Sequence, residues 1–144
     1  MVTRRDIVEA ARLWIDTPFR HQAQLRGVGC DCKGLVVGVA AELGMPEAQS
    51  LAARVRNYSA HFRGRDLFDG LSATLRQVER PEAGDLAAIL IGRDRLPIHL
   101  AIVSEPGWGV HAYGGGVKRV AEVPLSRWRV HSWWTWPSLE VTHG

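Results

Sequence analysis

An α+β fold, with helices first and an antiparallel sheet after them, is what this sequence predicts, and three observations carry the prediction. Apolar residues recur at helical spacing from Ile7 to Trp14; the run that follows Cys32 is apolar on nearly all sides for the length of a helix; and beyond Pro81 the pattern changes to short apolar runs separated by Gly, Pro and Asp. Helical periods segregated from strand periods along a chain point to a sheet with helices packed on it, not to alternating βαβ units.

Each element can be read in turn. Thr3 followed by Asp6 resembles a capping box, and Ile7, Ala10, Ala11 and Trp14 form one stripe until Thr17-Pro18 stops the helix. Residues 18 to 29, Pro-Phe-Arg-His-Gln-Ala-Gln-Leu-Arg-Gly-Val-Gly, are irregular and polar, and predict a loop leading into the cysteines. From Cys32 the chain is apolar all round as far as Gly44 and Pro46, which are stop residues, so this helix is expected to be buried. Leu67, Leu71, Leu75 and Val78 mark a further helix after a loop around Asn57 to Arg65. Leu86 to Ile91, Ile98 to Val103 and Gly109 to Tyr113 read as consecutive strands, and Gly114-Gly115-Gly116 as a hairpin turn into Val117 to Val120. Arg127 to Trp136 alternates, which places Trp128, Val130, Trp134 and Trp136 on one face.

Bulk properties bound the rest. A chain of 144 residues, 46% of them apolar, fits one domain spanning 1–144 with its own core. No apolar run reaches the length needed to span a bilayer, and Met-Val-Thr-Arg-Arg-Asp-Ile lacks the apolar stretch of a secretory signal, so the expectation is synthesis in the cytoplasm and no membrane insertion. The net charge of +3 is spread among acids instead of clustered, which argues against a nucleic-acid partner. Cys30 and Cys32 are separated by one residue and badly placed to cross-link each other.

Asp31 is a good N-cap, which would leave Cys32 in the first turn of a buried helix, where free amides and the helix dipole favour a thiolate. Gly34 would keep the helix start open for a substrate carbonyl and the N–H groups that hold its oxyanion. Taken alone, Cys32 reads more simply as a small buried hydrophobe. A thiolate needs a proton acceptor, however, and His99 sits in the strand Ile-His-Leu-Ala-Ile-Val, sharing a face with Ala101 and Val103, which are small enough for a helix to pack closely. His111, in Gly-Val-His-Ala-Tyr on the next strand, is placed to be its cross-strand neighbour and to fix its tautomer. A satisfied core histidine and a solvated one are the alternative readings of these two positions.

The motifs in order resemble the NlpC/P60 cell-wall peptidases. Asp-Thr-Pro-Phe-Arg-His-Gln followed by Gly-Cys-Asp-Cys-Lys-Gly-Leu-Val is similar to that family's Pro-aromatic loop and nucleophile motif; Gly84-Asp85-Leu86 to its entry into the first core strand; and His99 and His111 to its two later polar positions. The match covers most of the chain and omits the middle region. The resemblance implies a papain-like core in which N-terminal helices pack on a meander sheet, a catalytic set of Cys32, His99 and His111, and substrate contacts from Phe19, Asp31 and Lys33. No cofactor and no metal are expected. It further implies hydrolysis of peptide stems in peptidoglycan, typically the D-γ-glutamyl to diaminopimelate bond. The Cys-Asp-Cys variant, the Arg-His-Gln segment and the short length resemble more narrowly the peptidases of phage and gene transfer agent tails, which would make other tail-tip or hub proteins the partners. Phe19 stands where the family commonly has tyrosine, Lys33 where it has a small residue, and Ala101 where it has glycine.

Three readings compete with parts of this one. A structural tail-tip subunit could keep the fold and hydrolyse little; rapid alkylation of Cys32 below the ordinary thiol pKa of about 8.5 would mark a working nucleophile instead. A related lipid acyltransferase would place histidine before cysteine, the reverse of the order here. Cys30 could join a zinc site, but a one-residue spacer without a second pair is unlike zinc-binding sequences, so packing beneath the loop is its expected role, and redox trapping of Cys32 a lesser one. Trp128, Trp133, Trp134 and Trp136 could stack on sugars, although their alternation favours core and interface packing.

Overall fold

A computed structural model describes residues 1–56 and 64–140. Helix α1 (Arg4–Arg12) starts at the capping box: Thr3 Oγ1 accepts from the Asp6 amide at 3.1 Å, and Asp6 Oδ2 accepts from the Thr3 amide at 2.9 Å. The helix ends at Leu13, and Trp14 enters the core from the turn beyond it. The segment 18–29 holds a two-residue ladder, β1 (Gln24–Leu25) against β2 (Gly29–Cys30), where a loop was expected. Helix α2 (Cys32–Glu42) is buried at every position from Cys32 to Ala40 and stops at Gly44, whose φ of 67° suits glycine. Gly38 allows this close packing, since a Cβ there would lie 2.4 Å from the Trp14 ring.

A short helix α3 (Glu47–Leu51) and a π-helical turn (Ala52–Arg56) follow. The loop expected at Asn57–Arg65 falls outside the described residues up to position 63, and Gly64 and Arg65 already belong to α4 (Gly64–Thr74). Leu67 and Leu71 face the core from α4 as predicted, but Val78 does not continue that helix. It lies on strand β3 (Arg76–Val78), opposite Trp133, because the neighbouring strand offers an open edge whose backbone groups need partners.

The six-stranded sheet has the order β3-β8-β4-β5-β6-β7, antiparallel throughout, where β4 is Leu86–Leu90, β5 His99–Glu105, β6 Trp108–Ala112, β7 Val120–Pro124 and β8 Arg129–Thr135. Only β4 to β7 form the expected meander; β8 returns to lie between β3 and β4. Strand β7 begins at Val120, not at Val117. The residues before it pair instead with the N-terminal segment, Phe19 N–H donating to Lys118 O at 2.8 Å and Val120 N–H to Thr17 O at 2.8 Å. A helix-and-sheet layout is therefore present, with α1, α2 and α4 on one face of the sheet through Ile7, Leu35, Val36, Val39, Leu67, Leu100, Ile102 and Trp134. No helix among the described residues is long and apolar enough to cross a membrane.

The opposite face of the sheet carries its own cluster, Ala87, Ile89, Ala101, Val103 and Leu125, with Trp128, Val130 and Trp133 packed on it. Two expectations are corrected by this arrangement. Ala101 and Val103 point away from α2, since Leu100 and Ile102 occupy the helix-facing side of β5 and side chains alternate. The tryptophans divide between the two faces: Ala88 pairs with Ser132 but Ile89 with Val130, so His131 is an extra residue, and this bulge reverses the alternation along β8. Trp134 and Trp136 thus join the helix-side core while Trp128 and Trp133 pack on the other side, and no shared stacking platform forms.

Trp136 is fully buried and its Nε1–H donates to Gly84 O at 2.8 Å, joining the end of β8 to the turn that opens β4. Trp136→Phe keeps most of the apolar ring and leaves a buried carbonyl unpaired, so urea unfolding should show a loss of about 1–3 kcal/mol. A loss below about 0.5 kcal/mol would mean that water replaces the bond.

Candidate active site

Asp31 organises the site. Its backbone is extended (φ −102°, ψ −175°), its Oδ1 accepts from the Gly34 amide at 2.7 Å to cap α2, and its Oδ2 accepts from the Gln22 amide at 2.8 Å. One carboxylate thus ties the aromatic loop to the start of the helix. Further stitches run from Arg20 N–H to Cys30 O and from Cys30 N–H to Pro18 O, both at 3.0 Å. Gly34 serves this junction and not substrate approach: a Cβ there would lie 1.9 Å from the Ala23 carbonyl oxygen, so the loop, and no open channel, occupies the space. The physical reason is that the amide of Asp31 also donates to that carbonyl, at 3.3 Å.

Cys32 is the first residue of α2 and is 6% exposed. The backbone N–H groups of Lys33 and Leu100 are directed at its sulfur, which places the thiol against the residue that follows His99. His99 opens β5 and His111 lies in β6; both are buried, with His99 Nε2 2.7 Å from His111 Nδ1 and ring centroids 5.0 Å apart. Since Ile102 pairs with Val110, continuing the register sets His111 opposite Ala101, so the two histidines are diagonal neighbours and not directly opposed. Cys32 and His99 line one cleft of about 270 Å³ together with Phe19, Asp31, Lys33 and Tyr113. His111 does not reach that cleft and stands behind His99, against Trp128.

Sequence reasoning did not place two residues here, Tyr113 and Trp128, the latter read only as a stacking, core or interface residue. Trp128 lies 5.5 Å from His99 and 5.0 Å from His111, and Tyr113 lies 5.2 Å from His99 between ring centroids, so both rings wall the histidine pair. Alternation from His111 could have found Tyr113, two positions on. Trp128 comes from the far end of the sheet sequence, and nothing local announces it.

The electrostatics correct a second expectation. Burial pushes the Cys32 thiol up, against the opposing pull of the Lys33 charge and of the two amides, so desolvation outweighs the helix start. Burial also pushes His99 down to about 3, assisted by His111 and Lys33, and His111 down to about 4. The resting pair is therefore a neutral thiol and a neutral imidazole, so alkylation below pH ~8.5 no longer separates a working nucleophile from an inert one, and turnover has to do so. Cys30, fully buried between Phe19 and Gln24, is pushed up to about 12 by burial and by the charges of Asp31 and Cys32, and its place is in the packing beneath the loop. Among the described residues no three His, Cys, Asp or Glu side chains gather as a metal-binding group.

Two measurements follow from these shifts. Alkylation of Cys32 by iodoacetamide, read by mass spectrometry, should accelerate as pH rises beyond about 8.5, with Cys30 unlabelled; a plateau from pH 5 to 8 would reveal a standing thiolate and overturn the neutral pair. The contribution of His99 and His111 to stability should be full well above pH ~6.5, where both rings are neutral in the folded and the unfolded chain, and should fall as pH drops. There the unfolded chain takes up protons first, so each buried histidine removes about 1.4 kcal/mol per pH unit until its own folded pKa is approached. The double variant His99→Gln/His111→Gln should flatten the dependence of Tm on pH between 6 and 4.5; an unchanged slope would show that neither ring is held neutral.

No family model matches the chain, and no curated protein matches it in sequence. Solved structures do match. The NlpC/p60 domain of the peptidoglycan hydrolase SagA superposes with a TM-score of 0.62 at 22% identity, over 93% of this chain and 99% of that one. NlpC2 from Trichomonas vaginalis gives 0.64 at 16%, over 94% of this chain and 50% of its own. An NLP/P60-family protein from Staphylococcus aureus, similar to lipoprotein, gives 0.63 at 18%, over 91% and 40%. The chain thus spans the whole of the SagA domain and half or less of the other two. At these identities the likeness is one of fold, and that fold, α+β with helices against an antiparallel sheet, is that of NlpC/P60 domains.

Proposed function

We propose that this chain is a thiol peptidase of the bacterial cell wall, and the observation that carries the reading is the 2.7 Å contact by which His111 backs His99, the histidine that lines the cleft with Cys32. The tautomer that suits catalysis has His99 Nε2–H donating to His111 Nδ1, which leaves the other ring nitrogen of His99 with a lone pair. As the Cys32 sulfur attacks an amide carbonyl, its proton passes to that nitrogen, so charge separates only as the new C–S bond forms. The oxyanion develops beside the helix start, where the Lys33 amide already faces the sulfur. His99 then gives the proton to the leaving amine, and water, deprotonated by His99, releases the acid from the thioester. His111 orients His99 and touches no substrate.

The substrate in this reading is the peptide stem of peptidoglycan, cut at the D-γ-glutamyl to diaminopimelate bond, with Phe19, Asp31 and Lys33 shaping the cleft. The sequence Arg20-His21-Gln22 with Cys30-Asp31-Cys32 supports delivery as a component of a phage-like tail tip, assembled in the cytoplasm beside hub proteins and opening the wall locally.

Purified peptidoglycan digested with the protein should release soluble peptide fragments, and Cys32→Ala or Cys32→Ser should abolish that release. Release by either variant at the wild-type rate would sink the cysteine mechanism. Failure of the wild-type protein to release fragments, in isolation and within tail particles, would favour a structural subunit that keeps the fold.

A further inference from the structure

We propose a second ligand site in this protein, a cavity on the face of the sheet away from α2 that takes a small organic carboxylate with a planar apolar body and hydrogen-bonds it to His111. The site itself is independent of the peptidase reading; its consequence for His99 rests on that reading.

The cavity has a volume of about 280 Å³, and among its described lining residues are His111, Tyr113 and Trp128 but neither Cys32 nor His99. Such a volume lies at the small end of ligand pockets. Val110 and Ala112 enter the helix-side core, so alternation along β6 turns His111 the other way, toward this cavity. Tyr113, Trp128 and Val123 give aromatic and apolar walls, and Arg119 and Arg127 bring two guanidinium groups to the edge. Among the described residues that line it there is no aspartate or glutamate. Arg119 pairs through Nε with the exposed Asp16 at 3.5 Å, which leaves its outer nitrogens, and Arg127 is exposed with no ion pair among the described residues. Two guanidinium groups beside aromatic walls suit a planar anion, because their fork matches a carboxylate and the walls take an apolar ring.

His111 offers that anion a donor. The residue is 5% exposed, and its one hydrogen bond among the described residues is the 2.7 Å contact of Nδ1 with His99 Nε2. With Nδ1 accepting, the ring proton is on Nε2, and that N–H has no partner among the described residues. A carboxylate in the adjoining cavity provides one, and a charge-assisted bond gains strength where water is excluded. Its binding holds the proton on Nε2 and keeps Nδ1 free to accept from His99. That is the tautomer pair in which His99 retains a lone pair for the Cys32 thiol.

The test is calorimetric titration of the full chain with cinnamate and with cinnamamide, which has the same shape without the charge, while nitrogen NMR of labelled histidine follows the His111 ring. Cinnamate should bind about tenfold more tightly or better, the scale of one charge-assisted hydrogen bond. It should move the His111 Nε2 resonance and leave that nitrogen protonated. The double variant Arg119→Gln/Arg127→Gln should bring the two ligands near equality. Both side chains are exposed, so this variant should keep the wild-type Tm, and Arg127→Gln alone carries the comparison if it does not. Cys32→Ala should bind both ligands as the wild type does. Equal binding of the two ligands, no binding of either, a preference that survives in the arginine variant, an unmoved His111 resonance, or loss of binding in Cys32→Ala overturns the inference. Digestion of peptidoglycan is scored separately. If the protein releases no fragments while the charge-dependent binding holds, the peptidase reading fails and the carboxylate site stands.

Discussion

The buried carboxylate of Asp31 is the constraint on which the site depends. With one oxygen on the Gly34 amide and the other on the Gln22 amide, it fixes where α2 starts and where the aromatic loop ends. An N-cap bond of this kind contributes about 1 kcal/mol, but its geometric effect is larger than its energy. Cys32 follows Asp31 directly, so the position of the thiol is set by the cap, and Gly34 must lack a side chain because the Ala23 carbonyl closes over the same turn. Loop, cap and nucleophile position form one unit.

Burial dominates the chemistry of that unit. A helix start lowers a thiol pKa through its dipole and free amides, and both are present at Cys32, yet the thiol is still pushed up because the whole first turn of α2 is enclosed. The same enclosure holds His99 and His111 neutral. Two neutral partners that are both buried can exchange a proton at the moment of attack without a standing ion pair. The walls of the site come from distant parts of the chain, Phe19 and the glycines after Tyr113 on one side and Trp128 on the other.

The two faces of the sheet have different roles. The helix-side face carries the main core, so α2 is held along its whole buried length. The other face is smaller, and its Ala101, Val103 and Leu125 lie beneath Trp128, whose ring backs the two histidines. The bulge at His131 makes this division possible, because it sends Trp133 and Trp134 to opposite sides in the register that lets Trp134 and Trp136 fill the core.

By itself the sequence determined the elements whose signals are local: the capping box at Thr3, the buried helix from Cys32 to Gly44, and the strand runs at 86, 98 and 109. It also singled out Cys32, His99 and His111, because a polar ring in an apolar strand and a cysteine after an N-cap are unusual without any coordinates. Only the tertiary structure decided what depends on contacts between distant segments. The insertion of β8 between β3 and β4, the late start of β7, the division of the tryptophans and the reason for Gly34 all arise from backbone groups finding partners far along the chain. The charge state of the thiol belongs with them, since desolvation is a property of the enclosure and not of the motif.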